Sequence, residues 1–251
     1  MAGHSKWANI KHRKGAQDAK RAKIFSKLGR EITVAAKLGG DDPGMNPRLR
    51  LAIATARGQS MPKDAIERAV QKGIGGGDGD NYEEMRYEGY GTGGVAIIVD
   101  TLTDNKNRTA AEVRAAFTKH DGNLGTTGSV SFMFDQMAEV VFPIDKASAD
   151  EMFEAALEAG ASNVESNDEY HEIQCSTEDF ANVRDALEEK YGEPERQGLV
   201  WVPNVTTEVD ESQAASIMGL IDALEDNDDV QKVTANFDVS DEIMEKLAEA
   251  G

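Results

Sequence analysis

The chain has 251 residues, of which 39% are hydrophobic and 29% charged, a composition typical of a globular protein with one large domain or two to three smaller ones. Its longest strongly apolar run, Val95 to Val99, is far shorter than the roughly 18 residues that a transmembrane helix needs. Its single cysteine, Cys175, excludes an internal disulfide, so we expect a cytoplasmic protein. The formal charge of −19 argues against a polyanionic partner, but residues 1–75 hold 16 Lys and Arg against 6 Asp and Glu, whereas the remainder holds 11 against 40. We therefore expect only the amino-terminal region to bind phosphate.

The first 15 residues form a basic tip without a hydrophobic period. Its two characteristic stretches are Gly3-His4-Ser5-Lys6-Trp7 and Lys11-His12-Arg13-Lys14-Gly15. Lys and Arg neutralise phosphates, and Trp7 or His12 is able to stack on an exposed base. Charge alone leaves two other interpretations open: a solvated basic terminus with Trp7 packed against the following helices, and a mitochondrial transit peptide.

Three short helices are predicted after the tip, and we expect them to form a bundle. The first extends from Asp18 to about Leu38 and places an apolar stripe beside a basic one. The apolar stripe comprises Ile24, Leu28, Ile32 and Ala35, and the basic stripe comprises Lys20, Lys23, Lys27 and Arg30. The second helix begins at Asn46-Pro47 and ends at Gly58, and the third runs from about Pro62 to Lys72-Gly73.

Residues 73–80 are rich in glycine and predict a flexible linker, after which strands alternate with helices. The predicted strands are 95–101, 129–134, 140–144, 163–166, 170–176, 199–202 and 230–237. The predicted helices are 107–120, with a capping box of Thr109 and Glu112, then 149–159, capped by Ser148 and Glu151, then 178–190 and 211–224. The order from 140 to 202 approximates a β-α-β-β-α-β unit.

The predicted fold class is α+β with three domains. An N-terminal three-helix bundle occupies 1–75, a middle ferredoxin-like α/β sandwich domain occupies 81–136 and 205–251, and a third domain of the same type, at 137–204, is inserted in the second. The insertion is inferred because residues 81–134 alone supply one helix to cover a sheet.

Several short patterns suggest chemistry but are better explained by structure. Gly89, Gly91 and Gly94 match the spacing of a dinucleotide fingerprint, but a strand rather than a helix follows them. We therefore predict a tight turn or a bulge that leads into the strand. His171 and Cys175 share one strand face, which favours core packing over a nucleophile and its base. No catalytic residue and no metal site is predicted.

Long stretches of the chain also resemble a known family. They are MAGHSKWANIKHRKGAQDAKR at 1–21, NPRLRLAI at 46–53, MPKD at 61–64, YEEMRYEGYG at 82–91, GGVAIIVDTLTDNKNRTAAEVR at 93–114 and GSVSFMF at 128–134, with a looser likeness at 201–203 and in the tail. In these stretches the sequence is similar to the YebC family of bacterial gene-expression regulators, which has a mitochondrial translational-activator branch. The departures are mild, namely Ala22, Gly29, Ser60 and Thr92.

The resemblance implies a helical domain followed by two α/β domains, without enzymatic activity, cofactor or small-molecule substrate. Family members are described as transcriptional regulators that bind DNA, and others act on ribosomes and relieve stalls at proline-rich sequences. The residues that it implies as nucleic-acid contacts are Lys6, Trp7, Lys11, His12, Arg13, Lys14, Lys20, Arg21, Lys23 and Lys27. The expected partner is therefore DNA or ribosomal RNA, the latter on the ribosome, and no membrane.

Three functions remain in competition. A DNA-binding regulator lacks an evident helix-turn-helix element, so its base readout would depend on the tip. A ribosome-associated factor agrees well with a basic tip on an acidic body, because such an arm recognises the shape and backbone of RNA. A hydrolase with an unrecognised carboxylate site is the third hypothesis, and no motif requires it.

Overall fold

The computed structural model describes residues 17–75 and 81–240 together with residues 242, 243 and 246, and its side chains from residue 21 onward. Seven α-helices and ten strands lie in this part of the chain, so the fold class is α+β, as predicted. The helices are α1 (Gln17–Gly39), α2 (Pro47–Gly58), α3 (Lys63–Ile74), α4 (Lys106–Lys119), α5 (Ala149–Ala159), α6 (Phe180–Tyr191) and α7 (Glu211–Glu225).

The ten strands form two four-stranded sheets and one short pair. They are β1 (Glu83–Tyr90), β2 (Ala96–Thr103), β3 (Asn123–Leu124), β4 (Phe134–Pro143), β5 (Asn163–Ser166), β6 (Tyr170–Cys175), β7 (Arg196–Pro203), β8 (Thr207–Glu208), β9 (Val230–Ala235) and β10 (Phe237–Asp238). The first sheet has the order β3-β1-β2-β9, the second has the order β5-β6-β4-β7, and β8 pairs with β10 in parallel.

The contacts between Cα atoms divide the described chain into two compact units. One unit holds residues 17–27, 81–135 and the residues from 203 onward, and the other holds 28–75 and 136–202. The division is coarser than the three predicted domains and passes through α1, so the three domain boundaries stay a prediction.

The helical region is held together by a buried asparagine at the start of α2. The Asn46 side chain accepts a hydrogen bond from the Leu49 N–H, which caps α2. Its amide donates to the Ala35 carbonyl and to the Gly40 carbonyl, both at 2.8 Å, and so ties the end of α1 to the start of α2. The predicted start at Asn46-Pro47 and end at Gly58 are confirmed.

The first sheet has one face covered by α4 and α7. Residues of both helices share a single core with β2 and β9, including Val99, Val113, Phe117, Ile217 and Val233. Strand β1 pairs antiparallel with β2 from Glu83 opposite Thr103 to Tyr90 opposite Ala96. The order of neighbouring strands is that of a ferredoxin-like sheet. However, the two central strands, β1 and β2, follow each other directly as a hairpin before the first helix, α4, so the connectivity is a permuted form of that fold.

The second sheet belongs to a unit with the predicted β-α-β-β-α-β order, β4-α5-β5-β6-α6-β7. Its strand order, β5-β6-β4-β7, is that of a ferredoxin-like sheet. Helices α5 and α6 pack on the same core as β4 and β6, with Met152, Phe142, Ile173 and Leu187 at its centre. The capping box of Ser148 and Glu151 is confirmed at the start of α5, and α5 ends at Gly160, whose φ is 102°.

The predicted strand at 129–134 is wrong except at its last residue. A buried carboxylate, Glu88, accepts backbone hydrogen bonds from Gly128, Val130 and Ser131, each at 2.9 Å. Those N–H groups are used by a side chain and are not available to a strand ladder, so the segment forms a loop with a 3₁₀ turn, and β4 begins at Phe134.

The predicted capping box of Thr109 and Glu112 is also wrong. Helix α4 begins at Lys106, and its N-cap is Asn105, which accepts from the Arg108 N–H. Thr109 lies inside the helix, where its hydroxyl is 2.7 Å from Thr103 Oγ1 and 2.7 Å from Asp229 Oδ2. The threonine of this Thr-x-x-Glu pattern therefore belongs to a buried hydrogen-bond network and does not cap the helix.

Candidate nucleic-acid interface

The structure describes only part of the predicted interface. Six predicted contacts, Lys6, Trp7, Lys11, His12, Arg13 and Lys14, lie outside the described residues. Lys20 lies on α1. The side chains of Arg21, Lys23 and Lys27 are described, and they lie on the first three turns of α1.

Two of these lysines contact the carboxyl end of α7. Lys23 Nζ is 2.7 Å from Asp226 Oδ1, and Lys27 Nζ donates to the Glu225 carbonyl at 2.8 Å. The last carbonyls of a helix carry partial negative charge and lack intrahelical donors, so cations stabilise this end. The predicted basic stripe of α1 is therefore partly engaged within the protein.

Two arginines of the helical region are more open. Arg21 and Arg57 are exposed, and neither side chain makes an ion pair with another described residue. Residues 17–75 as a whole carry 12 Lys and Arg against 6 Asp and Glu, a net charge of +6. The cationic character predicted for the amino-terminal region thus extends through all three helices.

Other cations of this region are held by neighbouring carboxylates. Arg48 forms a two-pronged contact with Glu31, with nitrogen-to-oxygen distances of 2.7 and 2.9 Å, and joins α2 to α1. On α3, Arg68 lies 2.8 Å from Asp64 one turn earlier. These side chains stabilise the helical region, and neither of them is among the predicted nucleic-acid contacts.

The buried histidine has a structural role. His171 is fully buried, its Nδ1 is 2.7 Å from Ser166 Oγ, and its Nε2 lies 3.0 Å from the Ala147 carbonyl. Burial, and to a smaller extent Asp179, raises the pKa of the Cys175 thiol, which disfavours the nucleophilic thiolate. Core packing is therefore confirmed as the role of His171 and Cys175.

The glycine motif forms a turn, as predicted. Gly91 and Gly94 of the motif, together with Gly93, connect β1 to β2, whereas Gly89 lies within β1. The Gly91 N–H donates to the Val95 carbonyl at 2.8 Å. Gly93 and Gly94 have φ values of 75° and 80°, which favour glycine. The spacing of this motif is thus explained by a hairpin.

Two further features are absent from the described residues, a metal-binding cluster and a membrane-spanning helix. No group of three or more His, Cys, Asp and Glu side chains there is arranged to hold a metal ion. None of the helices in the same residues combines the length and apolar character needed to cross a membrane.

Comparison with known proteins gives consistent matches along the chain. A family model described as the TACO1/YebC protein N-terminal domain matches residues 5–76, and a model described as the TACO1/YebC second and third domain matches residues 82–237. A solved structure is also similar, the crystal structure of a conserved hypothetical protein, Aq1575, from Aquifex aeolicus. It is 45% identical in sequence, with a TM-score of 0.86, and the match covers 92% of this chain and 96% of that chain.

Proposed function

Since the chain belongs to the TACO1/YebC family, we propose that it is a non-enzymatic regulator of gene expression that binds DNA phosphates through its basic amino-terminal region. The observation that carries this proposal is the separation of charge. Residues 17–75 have a net charge of +6, whereas residues 76–251 have 11 Lys and Arg against 40 Asp and Glu. A polyanion is attracted to one end of the chain and repelled by the rest. The name of the model that matches residues 82–237 refers to transcription regulation.

The contacts of Lys23 and Lys27 are compatible with phosphate binding. The side chains of Lys23 and Asp226 are 43% and 77% exposed, and an ion pair between exposed groups contributes only about 0–1 kcal/mol. A phosphate group brings a full charge and strong acceptor oxygens, so it competes with this pair. Arg21, which has no ion pair with a described residue, adds a cation on the same helix.

The helical region offers little for the recognition of individual bases. Four residues, 59–62, connect α2 to α3, a length that occurs in helix-turn-helix motifs. However, the exposed side of α3 carries both signs, with Arg68 paired to Asp64 and Lys63 at 3.7 Å from Glu67. Carboxylates on that side repel the DNA backbone, so we propose binding dominated by phosphate contacts and weakly dependent on sequence.

The same observation favours a second candidate function. A cationic segment that contacts the backbone rather than base edges is well suited to structured RNA, which proteins recognise largely by shape and phosphate contacts. The alternative is therefore a ribosome-associated translation factor that acts on stalls at proline-rich sequences, with ribosomal RNA as its partner.

The proposal is tested by salt-dependent binding of matched charge variants. A tip variant, Lys11→Glu with Lys14→Glu, and a helix variant, Arg21→Glu with Arg57→Glu, are compared with a control, Arg114→Glu with Lys119→Glu on α4. Each pair changes the net charge by the same amount. Binding to duplex DNA and to purified ribosomes is measured between 50 and 300 mM salt.

We expect the tip and helix variants to bind more weakly and with a smaller salt dependence than the control. For about six phosphate contacts, log affinity for DNA falls with log salt at a slope near −5, and each lost contact reduces the slope by about 0.9. Equal binding by all three variants would overturn the proposal. Stronger, more salt-resistant binding to ribosomes than to DNA would select the translation-factor alternative.

A further inference from the structure

Helix α5 carries two large apolar side chains on its exposed side. Phe153 is 48% exposed and Leu157 is 46% exposed, and their spacing of four residues places them next to each other on one face. Met152 and Ala156, each about 100° around the helix from one of the pair, are fully buried in the core. Single exposed apolar residues are common on protein surfaces, whereas contiguous exposed apolar patches mark interaction sites.

Helix α5, which presents this pair, is capped at both ends. At its start, the Ser148 hydroxyl and the Glu151 carboxylate form the reciprocal hydrogen bonds of a capping box. At its end, Gly160 adopts the left-handed conformation and its N–H bonds to the Leu157 carbonyl. The side chains of Phe153 and Leu157 are therefore held on a rigid element, which lowers the entropy lost when a partner binds.

Acidic side chains border the apolar pair. At about 100° per residue, Asp150 and Glu154 follow Phe153 and Leu157 around the helix, and Glu151 lies beyond them. The Glu151 side is the one that α6 contacts, since Tyr191 Oη donates to the Glu151 carbonyl at 3.2 Å. The pair and its two flanking carboxylates thus face away from α6.

The charge of the surrounding segment is strongly negative. Residues 137–204 contain 17 Asp and Glu against 4 Lys and Arg, a net charge of −13. Such a surface repels nucleic acids and anionic lipid headgroups and attracts cations. It also disfavours pairing of two copies through this face, because Asp150 and Glu154 of each copy would approach the same carboxylates of the other.

We propose that the face of α5 formed by Phe153, Leu157, Asp150 and Glu154 binds a cationic amphipathic helix of a partner protein. Apolar side chains of that helix cover Phe153 and Leu157, and its Lys or Arg residues contact the two carboxylates. This is the helix-on-helix mode of recognition, in which apolar anchors repeat every three to four residues. The partner is identified here by its chemistry, and the surface is separate from the basic amino-terminal region.

The experiment uses the full chain and a fluorescein-labelled peptide of about 18 residues, composed of Leu and Lys in a helical pattern that gives one apolar and one cationic face. Fluorescence anisotropy measures its binding to the wild type and to three variants. The apolar variant is Phe153→Ser with Leu157→Ser, and the charge variant is Asp150→Asn with Glu154→Gln. The control is Leu199→Ser, a substitution of another exposed leucine of the same segment, on β7. Circular dichroism verifies that each variant is folded.

We expect the apolar variant to bind the peptide about tenfold or more weakly, which corresponds to the loss of about 1.4 kcal/mol of binding free energy. The charge variant should lose affinity at low salt and converge with the wild type at high salt, and Leu199→Ser should bind as the wild type does. A peptide with Glu in place of Lys should not bind.

Three outcomes would overturn the proposal. The first is equal peptide binding by the wild type and the apolar variant. The second is an equal loss in Leu199→Ser, which would indicate general adsorption to acidic surfaces. The third is self-association of the wild type in sedimentation that the apolar variant abolishes, which would assign the face to a second copy. DNA and ribosome binding should be unchanged in all three variants, so this test and that of the proposed function fail independently.

Discussion

Two glycines inside helices should respond in opposite directions to the same substitution. Gly29 lies in the middle of α1, and Gly73 lies in the last turn of α3. A Cβ atom at Gly29 would have one neighbour, Met61 Cε at 3.7 Å, which is an ordinary van der Waals distance. At Gly73 it would lie 2.4 Å from the Thr33 carbonyl oxygen and 2.8 Å from Ala36 Cβ, both on α1.

The expected magnitudes follow from these distances. Alanine is more favourable than glycine in a helix interior by about 0.8–1 kcal/mol, and nothing at Gly29 opposes that gain, so Gly29→Ala should raise the free energy of unfolding by up to about 1 kcal/mol. At Gly73 the backbone of α1 cannot yield cheaply, and overpacking of this kind costs about 1–3 kcal/mol. Gly73→Ala should therefore destabilise the protein, despite its better helix propensity.

Urea denaturation followed by circular dichroism measures both changes, with the m-value as a check that the surface exposed on unfolding is unchanged. In a thermal scan, a gain of 1 kcal/mol corresponds to about 2–4 °C in Tm for a chain of this size. If Gly73→Ala is as stable as the wild type, the end of α3 does not lie against α1. If Gly29→Ala is destabilised, the space beside Gly29 is filled.

Ser60 has a φ of 58°, a left-handed conformation that asparagine adopts more readily than serine. Ser60→Asn should therefore raise the free energy of unfolding, measured in urea, by roughly 0.5–1 kcal/mol. A lower free energy of unfolding would show that Ser60 is not strained. Burial opposes ionisation of the Glu88 carboxyl, but its three backbone hydrogen bonds hold its pKa below the ordinary value of 4.5. The ionised carboxylate therefore stabilises the folded protein above pH 4.5, and this stabilisation is lost as the pH falls through the pKa of Glu88 in the folded state. Glu88→Gln should cost about 1.5–3 kcal/mol at pH 7 and reduce the loss of stability as the pH falls below 4.5, whereas an unchanged pH profile would refute this assignment. Asp226→Asn removes the carboxylate that faces Lys23 and should strengthen DNA binding by about two- to threefold. Asp135→Asn, with the same change in net charge, should have a smaller effect when the anisotropy of fluorescein-labelled duplex DNA is measured for both variants.

Local chemistry predicted most of the helix boundaries. Asn46 followed by proline, and Ser148 followed three residues later by Glu151, each satisfy orphan N–H groups within one turn of the same helix. Information of this kind is contained in four consecutive residues. The sequence was therefore sufficient to place the start of α2 and of α5.

Strand β1 was missed although its pattern was present. Met85, Tyr87 and Gly89 alternate with charged residues, and Gly89 faces Phe117, whose ring lies 2.7 Å from where a Cβ of Gly89 would be. The small residue permits close approach of α4 to the sheet. Glu88, one of the charged residues at every second position, is buried, so the alternation of charged and uncharged residues does not separate an exposed face from a buried one.

The wrong assignments share a physical cause, which is a buried carboxylate that bonds to distant parts of the chain. Glu88 binds Gly128, 40 residues away, and Asp229 binds the hydroxyl of Thr109, 120 residues away. A carboxylate enters a core only when several donors satisfy it, and those donors are brought together by the completed fold. No window of sequence reveals such a partner.

The same argument applies to the cations of the proposed interface. Sequence predicts that positive charge is concentrated in residues 1–75, but it cannot divide those cations into phosphate ligands and internal partners. Lys23 meets Asp226 across 203 residues of sequence, whereas Arg21, two positions earlier on the same helix, is exposed. If nucleic-acid binding depends on phosphate contacts, the free energy that each lysine contributes to binding is reduced by the energy of its contact with the end of α7. An anionic partner that displaces Asp226 and the Glu225 carbonyl would gain both Lys23 and Lys27, so these two lysines should contribute to binding together rather than independently.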